Sequence, residues 1–449
     1  MADVAVTEPL TLVLRYADLG IATYASLRVV GQPERTVTWV VEETILLAAL
    51  DEIDAALPDP REGETATEAL ERALTLGAFT DPEREVLLAY RLGVLLIAPR
   101  GWELLTECVR SPRAVLFVAP SARLGRIPFG ALAKPALFPV VADMLTARTE
   151  AVTAEGPVPA RIPWPDAEPT QLTEGYRLLE LVDVLMAVPA NIVASRRPAV
   201  PVTGTAALLI LDPRVPGQRP DSALGSVLGR PAADSVPARH YATVLDRVLP
   251  PVASVVELFR RTDADRGWLA GMLARRPGRL MFVGHASASD SSAERAAVHL
   301  ADHRPLSAAD LMASDLVFPP KVALLACASG GDYRFDEATG LVAAMVLAGA
   351  ELVTATLWSL PTTAGYRKFA DADAGDPMGE TIVSVDTAHR DGTVLDTGRA
   401  VNRWQREQLR RWRDGDRSAS PVYWAALATF AISQAGGTHT ATADSSPHR

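Results

Sequence analysis

The chain has 449 residues, 48% of them hydrophobic, with 44 basic and 54 acidic side chains and a formal net charge of −10. That size and apolar content suffice for one large core plus a smaller unit, while the acidic balance excludes a global electrostatic footprint for nucleic acid and disfavours anionic partners. Two cysteines, Cys108 and Cys327, form no disulfide framework. The start of the chain lacks a basic segment followed by an apolar core, and no apolar run is long enough to span a membrane, so the expected location is cytoplasmic.

In chain order, Leu10 to Tyr16, Ala22 to Val30 and Thr36 to Val41 alternate in polarity and are separated by Gly20 and by Gly31-Gln32-Pro33, which predicts an antiparallel meander. Glu42 to Leu50 and Thr67 to Leu76 have helical apolar spacing, broken by Pro58-Asp59-Pro60 and Gly63. Asp81-Pro82 is an N-cap followed by proline at the first helical position, starting a helix that runs towards Ile97 before Pro99 and Gly101. Ala114 to Ala119 reads as a buried strand. A Pro-rich stretch from Ala154 to Pro169 reads as surface loop, and Tyr176 to Met186 has helical spacing. Ala207 to Leu211 is a further strand, turning at Asp212-Pro213, and Pro213 to Pro237 is loop. Val255 to Phe259 suits a short strand and Arg266 to Leu273 a helix.

The next stretch organises the chain. Leu280-Met281-Phe282-Val283-Gly284-His285 and Lys321-Val322-Ala323-Leu324-Leu325-Ala326-Cys327 are apolar runs of the kind found in strands buried on both faces of a parallel sheet. Between them Ser307 and Asp310 form a capping box, so the segment reads as a strand-helix-strand crossover. The carboxyl ends of parallel strands open on one crevice, which brings together His285 and Cys327, 42 positions apart in sequence. A thiol beside an imidazole is a nucleophile with its base. Downstream, Gly340 to Ala348 predicts a helix ended by Gly349, Glu351 to Leu357 a strand, 370 to 396 a loop around a weak strand at Thr381 to Val385, and Val401 to Trp412 an Arg-rich solvated helix. Pro421 to Ala431 packs again, and Gly436 to Arg449 is expected to be disordered.

At Gly284-His285-Ala286 and Ala326-Cys327-Ala328-Ser329-Gly330 the sequence resembles the CHAT family, bacterial relatives of caspases and separase in the caspase-like clan of cysteine peptidases. Further resemblances lie at Val118-Ala119-Pro120 with Leu124 and Pro128-Phe129, at Ala348-Gly349-Ala350 with Leu357-Trp358, and at Pro421-Val422-Tyr423-Trp424-Ala425. Where the family has Gly after the histidine this chain has Ala286, and the tetratricopeptide repeats that often accompany CHAT domains are not found. The resemblance implies an α/β, caspase-like three-layer fold with a mostly parallel central sheet, preceded by a small N-terminal β-rich region. The expected division is 1–75 as that N-terminal region, 76–435 as the CHAT domain and 436–449 as a tail.

The resemblance also implies a cysteine endopeptidase acting within a bacterial signalling or defence system. Cys327 is then the nucleophile, His285 the acid/base, and the backbone amides of Ala286 and Cys327 the oxyanion donors. No cofactor or metal is implied; His299 and His303 lack companion ligands and read as solvated loop histidines. Partners are a protein substrate and an activating protein, with neither nucleic acid nor membrane. Asp332, Asp336 and Glu337, after the cysteine, form an expected acidic pocket selecting Arg or Lys before the cut, with Asp332 the first choice. Pairing with an imidazole is expected to make Cys327 alkylate faster than Cys108, and at lower pH than a free thiol. The alternative is a catalytically idle CHAT-fold scaffold that binds a partner. A serine hydrolase is disfavoured because no Gly-x-Ser-x-Gly elbow occurs, and neither a Walker loop nor a dinucleotide fingerprint is found.

Overall fold

The computed structural model describes residues 9–20, 22–110, 112–135, 173–198, 204–217, 225–287, 293–327, 329–331 and 340–432. The expected loop at 154–169 and tail at 436–449 lie outside them. The N-terminal meander forms as expected: β1 (Thr11–Asp18), β2 (Ala22–Val29) and β3 (Gln32–Glu42) pair antiparallel in sequence order. Their polarity alternates because one face packs inward while the other meets water. Helices α1 (Glu43–Ala56), α2 (Ala66–Thr75), α3 (Pro82–Leu96) and α4 (Pro99–Glu107) follow. Asp81 caps α3 by accepting the Arg84 N–H at 2.9 Å. Pro99, read from sequence as a stop, instead occupies the first turn of α4, where its missing N–H costs nothing.

The remaining strands are β4 (Val115–Ala119), β5 (Ala133–Pro135), β6 (Thr173–Arg177), β7 (Asp183–Ala187), β8 (Ala207–Leu211), β9 (Val248–Leu249), β10 (Arg279–Gly284), β11 (Ala286–Ser287), β12 (Ala297–Val298), β13 (Leu306–Ser307), β14 (Lys321–Ala326), β15 (Leu352–Thr356) and β16 (Leu427–Ala431). Among the described residues one 11-stranded sheet runs β3-β2-β1-β4-β7-β16-β15-β14-β10-β8-β9. Beyond the meander its pairs are parallel except β15 with β16. Strands β8, β10, β14, β15 and β16 are buried at every position, as a sheet covered on both faces requires. The principal later helices are α5 (Arg266–Leu273), α6 (Leu341–Leu347), α7 (Pro377–Arg390) and α8 (Val394–Arg413). This is the expected mixed α/β fold with a large, mostly parallel central sheet. No helix among the described residues is long and apolar enough to cross a membrane.

Four local expectations are corrected. Tyr176 to Met186 is not a helix but the end of β6, a short turn at Leu178–Leu181 and β7, which pairs with β4 and β16. Its apolar run satisfies either period, and the two neighbouring strands decide. Val255–Leu258 is a 3₁₀ turn rather than a strand, with only Phe259 bridging to Leu211. Thr381 to Val385 lies inside α7: Asp376-Pro377 repeats the cap signal of Asp81-Pro82 and outweighs the β-branched run. Helix α8 is only half solvated. It buries Val401, Asn402, Gln405, Leu409 and Trp412, and Arg406 reaches the Asp183 carboxylate at 2.9 Å.

Helix α7 crosses the amino ends of β10 and β14 over a buried polar cluster. Arg279, the first residue of β10, donates to both Asp386 carboxylate oxygens at 3.1–3.2 Å, and His240 Nε2 donates to Oδ2 at 2.9 Å. Burial pushes the Asp386 carboxyl up, but His240 and Arg279 more than offset it and leave it below the usual 3.8. Lys321, the first residue of β14, donates to the carbonyls of His389, Asp391 and Gly392 that end α7. His389, fully buried against Thr354, is pushed by burial from 6.5 down to about 3.

Two predictions follow from this cluster. Asp386→Ala strands the buried Arg279 guanidinium and is expected to lower the unfolding free energy by about 3–5 kcal/mol in denaturant titration. Between pH 6.5 and about 4 the unfolded chain binds a proton at residue 389 that the folded state refuses, so stability falls as pH falls through that window. His389→Gln, which keeps a hydrogen-bonding partner for Thr354, flattens that slope in melting curves. His299, which burial also lowers, leaves a remaining slope of the same sign.

Candidate active site

Parallel register builds the site. Gly284 on β10 lies opposite Ala326 on β14, so His285 and Cys327 leave neighbouring strand ends on the same side of the sheet. Gly284 is tightly packed: a Cβ there would stand 3.1 Å from the Phe282 ring and 3.3 Å from Pro213, so a side chain would force its neighbours to give way. After His285 the chain turns into β11, which pairs with β12, and the amides of Ala286 and Cys327 both favour a thiolate at Cys327.

The turn after Cys327 is fastened to β15. The Ser329 hydroxyl donates to Leu324 O at 2.7 Å and accepts the Thr356 N–H at 3.1 Å, while the Gly330 N–H donates to Thr356 O at 2.9 Å. Thr356 Oγ1 returns a bond to Ala326 O. Buried donors and acceptors are thereby paired on both sides of the cysteine.

On the histidine side, Nε2 lies 2.5 Å from Gly225 O. A carbonyl only accepts, so Nε2 is the donor and Nδ1 is the nitrogen left to exchange a proton with a neighbour. Gly225 opens a turn tied to Asp212, at the carboxyl end of β8. The Asp212 carboxylate accepts from the Ser226 hydroxyl, the amides of Val227 and Leu228, and Arg260 Nη1 at 3.3 Å. Asp212 is fully buried at φ 51°, a left-handed conformation that Asp tolerates better than most residues.

On the cysteine side, two residues that no sequence reading tied to it approach the thiol. Ser359 lies just past β15, whose end is bonded to the residues flanking Cys327, and Asp59, from the turn between α1 and α2, accepts the Ser359 N–H at 3.0 Å. Burial pushes the thiol above its ordinary value of 9.0. Asp59 adds to that rise, whereas Ser359 and the amides of Cys327 and Ala286 oppose it. The expected low-pH thiolate is thus not what the resting site holds, because desolvation outweighs the hydrogen bonds.

His299 is corrected as well. It is buried, its N–H donates to His285 O at 3.0 Å, and its Nε2 lies 2.5 Å from Ser287 Oγ; burial first, then the nearby His285, depress its pKa. His303 is exposed, as expected. Asp332, Asp336 and Glu337 lie outside the described residues. Cys108 is fully buried, with Arg35 Nη2 3.4 Å from its sulfur. No cluster of metal-binding side chains occurs among the described residues. Asp59, Ser359, Gly225 and Asp212 reach the site through tertiary packing; Asp212-Pro213 and Pro58-Asp59-Pro60 carried local turn signals, but neither pointed to the cysteine.

The outlying segments singled out in the sequence meet in the core. Trp358 Nε1 donates to Val422 O at 2.9 Å and its ring stacks on Phe79, while Phe129 packs against Tyr16 of β1.

A search of curated proteins finds no match. Two solved structures of the Saccharomyces cerevisiae separase-securin complex, at 2.6 and 3.0 angstrom resolution, are similar at 10% and 9% identity with TM-scores of 0.41 and 0.42. Each similarity covers 94% of this chain but only 30% of the chain it matches. The family model described as CHAT domain matches residues 87–371. That is more than half of the 449 residues, and the chain belongs to the CHAT domain family.

Proposed function

We propose that the chain is a cysteine endopeptidase in which Cys327 is the nucleophile and His285 its acid/base. The observation that carries this reading is the parallel register of β10 with β14, which sets His285 and Cys327 at neighbouring strand ends, with the imidazole Nε2 engaged by Gly225 O; the amides of Ala286 and Cys327 both favour the thiolate. Two preorganised N–H donors at a nucleophile are what an acyl-transfer oxyanion needs, and Ala286 supplies its amide as a glycine would.

Because the resting thiol is held protonated, the reaction runs by general base catalysis rather than from a stored thiolate. His285 Nδ1 takes the thiol proton as sulfur bonds to the scissile carbonyl carbon, and the oxygen, now anionic, rests on the two amides. Collapse breaks the C–N bond as the imidazolium returns its proton to the leaving amine. Water, deprotonated by the same imidazole, then hydrolyses the thioester and frees the sulfur. The Gly225 carbonyl steadies the ring throughout.

A scaffold that binds a partner without cleaving it is the second reading, and the raised thiol favours it. The two part on one variant. Cys327→Ala, a small residue for a small one, is expected to leave cooperative unfolding unchanged and to reduce cleavage of a peptide library, offered with cellular partners present, by at least about 10³-fold. Equal cleavage by wild type and variant overturns the peptidase reading. A second measurement follows from burial: the rate of iodoacetamide labelling at Cys327 should keep rising with pH beyond 9.0 rather than level off near neutrality, and Cys108 should stay unlabelled until the fold opens.

A further inference from the structure

The N-terminal region lies outside the 87–371 match, yet one of its side chains stands at the nucleophile. Asp59 follows Leu57 and Pro58, both buried, in the turn that leaves α1. Arg72 of α2 fixes that turn by donating to the carbonyls of Ala55, Leu57 and Asp59 at 2.8–3.2 Å, and Glu64 holds Arg72 in turn at 2.8 Å. The Asp59 carboxylate, so placed, is engaged from two further directions. Oδ1 accepts the Ser359 N–H at 3.0 Å and Oδ2 pairs with Arg126, which also reaches Asp54 at 3.1 Å.

We infer that Asp59 is a positioning residue of the Cys327 site, holding Ser359 against the thiol and placing a negative charge beside it. A bond to the backbone fixes where Ser359 sits, just past the end of β15 that is bonded to Ala326 and Gly330 on either side of the cysteine. The two residues act on the thiol with opposite signs. A hydroxyl donor stabilises the thiolate, whereas a neighbouring carboxylate opposes its formation, and both effects agree in direction with the perturbations at Cys327. Among the described residues the charged and titratable groups around the thiol come from separate elements: Asp59 with its partner Arg126 from the N-terminal side, and His285 from the neighbouring strand end. Asp59 thus raises the demand on His285 as a base and keeps the nucleophile quiet until a substrate is seated. The inference rests on the peptidase reading for that consequence, but not for the contact.

The test is the pH dependence of iodoacetamide labelling at Cys327, followed by peptide mapping on the full chain. Asp59→Asn keeps an oxygen that accepts the Ser359 N–H and removes the charge; its labelling curve should move to lower pH, with a several-fold faster rate at pH 7.5. Ser359→Ala should move the curve the other way. A residue that merely braced the turn would leave Asp59→Asn superimposed on wild type, and that result, or a shift to higher pH, overturns the inference. Cys108, fully buried, reports unfolding in the same run. If Asp59→Asn exposes it, Arg126→Gln takes its place: stripping the cation that offsets Asp59 should move the curve to higher pH, and an unmoved curve overturns the inference. Labelling needs no substrate, so this outcome is independent of whether Cys327→Ala abolishes cleavage.

Discussion

The pairing of β10 with β14 is the constraint on which the rest of the site depends. Six residue pairs in parallel register, from Arg279 opposite Lys321 to Gly284 opposite Ala326, decide that an imidazole and a thiol 42 positions apart leave the sheet side by side. A slip of one residue would turn every side chain of β10 to the other face and carry His285 away from Cys327. In a strand buried on both faces, polarity cannot set that register, since Leu280, Phe282, Met281 and Val283 are equally apolar. Something other than hydrophobic patterning must specify it.

The buried charges at the opposite end of the same two strands supply that specification. Arg279 and Lys321 are the only charged residues in β10 and β14, they face each other across the register, and both are satisfied by one helix, α7. Arg279 meets a carboxylate on the helix body and Lys321 meets the carbonyls at its end, so a shifted strand would strand one charge without a partner. Buried ion pairs are poor sources of net stability, but an error that leaves one charge unpaired costs several kcal/mol. The cluster therefore acts as a peg at the amino ends, and the reactive residues at the carboxyl ends inherit its precision.

That division explains what the sequence disclosed. The apolar runs, the Ser307 and Asp81 caps and the strand-helix-strand order are local signals, and they yielded the parallel sheet, the meander and the convergence of His285 with Cys327. Where a local signal pointed both ways, tertiary context decided: the β-branched run at Thr381 to Val385 became helix because Asp376-Pro377 caps it, and Leu178 to Ala187 became turn and strand because β4 and β16 needed a partner between them. The environment of the cysteine was not legible at all. Whether a thiol is poised or silenced depends on desolvation and on side chains 268 positions upstream and 32 downstream, and no spacing rule connects Asp59 or Ser359 to Cys327.

The N-terminal meander belongs to this account rather than beside it. Strand β1 pairs in parallel with β4 from Thr11 to Arg15, so the meander extends the same sheet and covers an edge of β4 that would otherwise offer unpaired amides to other chains. Tyr16 of β1 binds Leu96 O at the end of α3 and packs on Phe129, tying the meander to the segment that resembles the family's Pro-Phe motif. The helices that follow then bring Asp59 to the Ser359 amide past the end of β15. A region outside the family match thus contributes both to the edge of the central sheet and to the electrostatics at Cys327. Variation in such a segment between chains of one fold would tune the thiol without altering the strands that carry it.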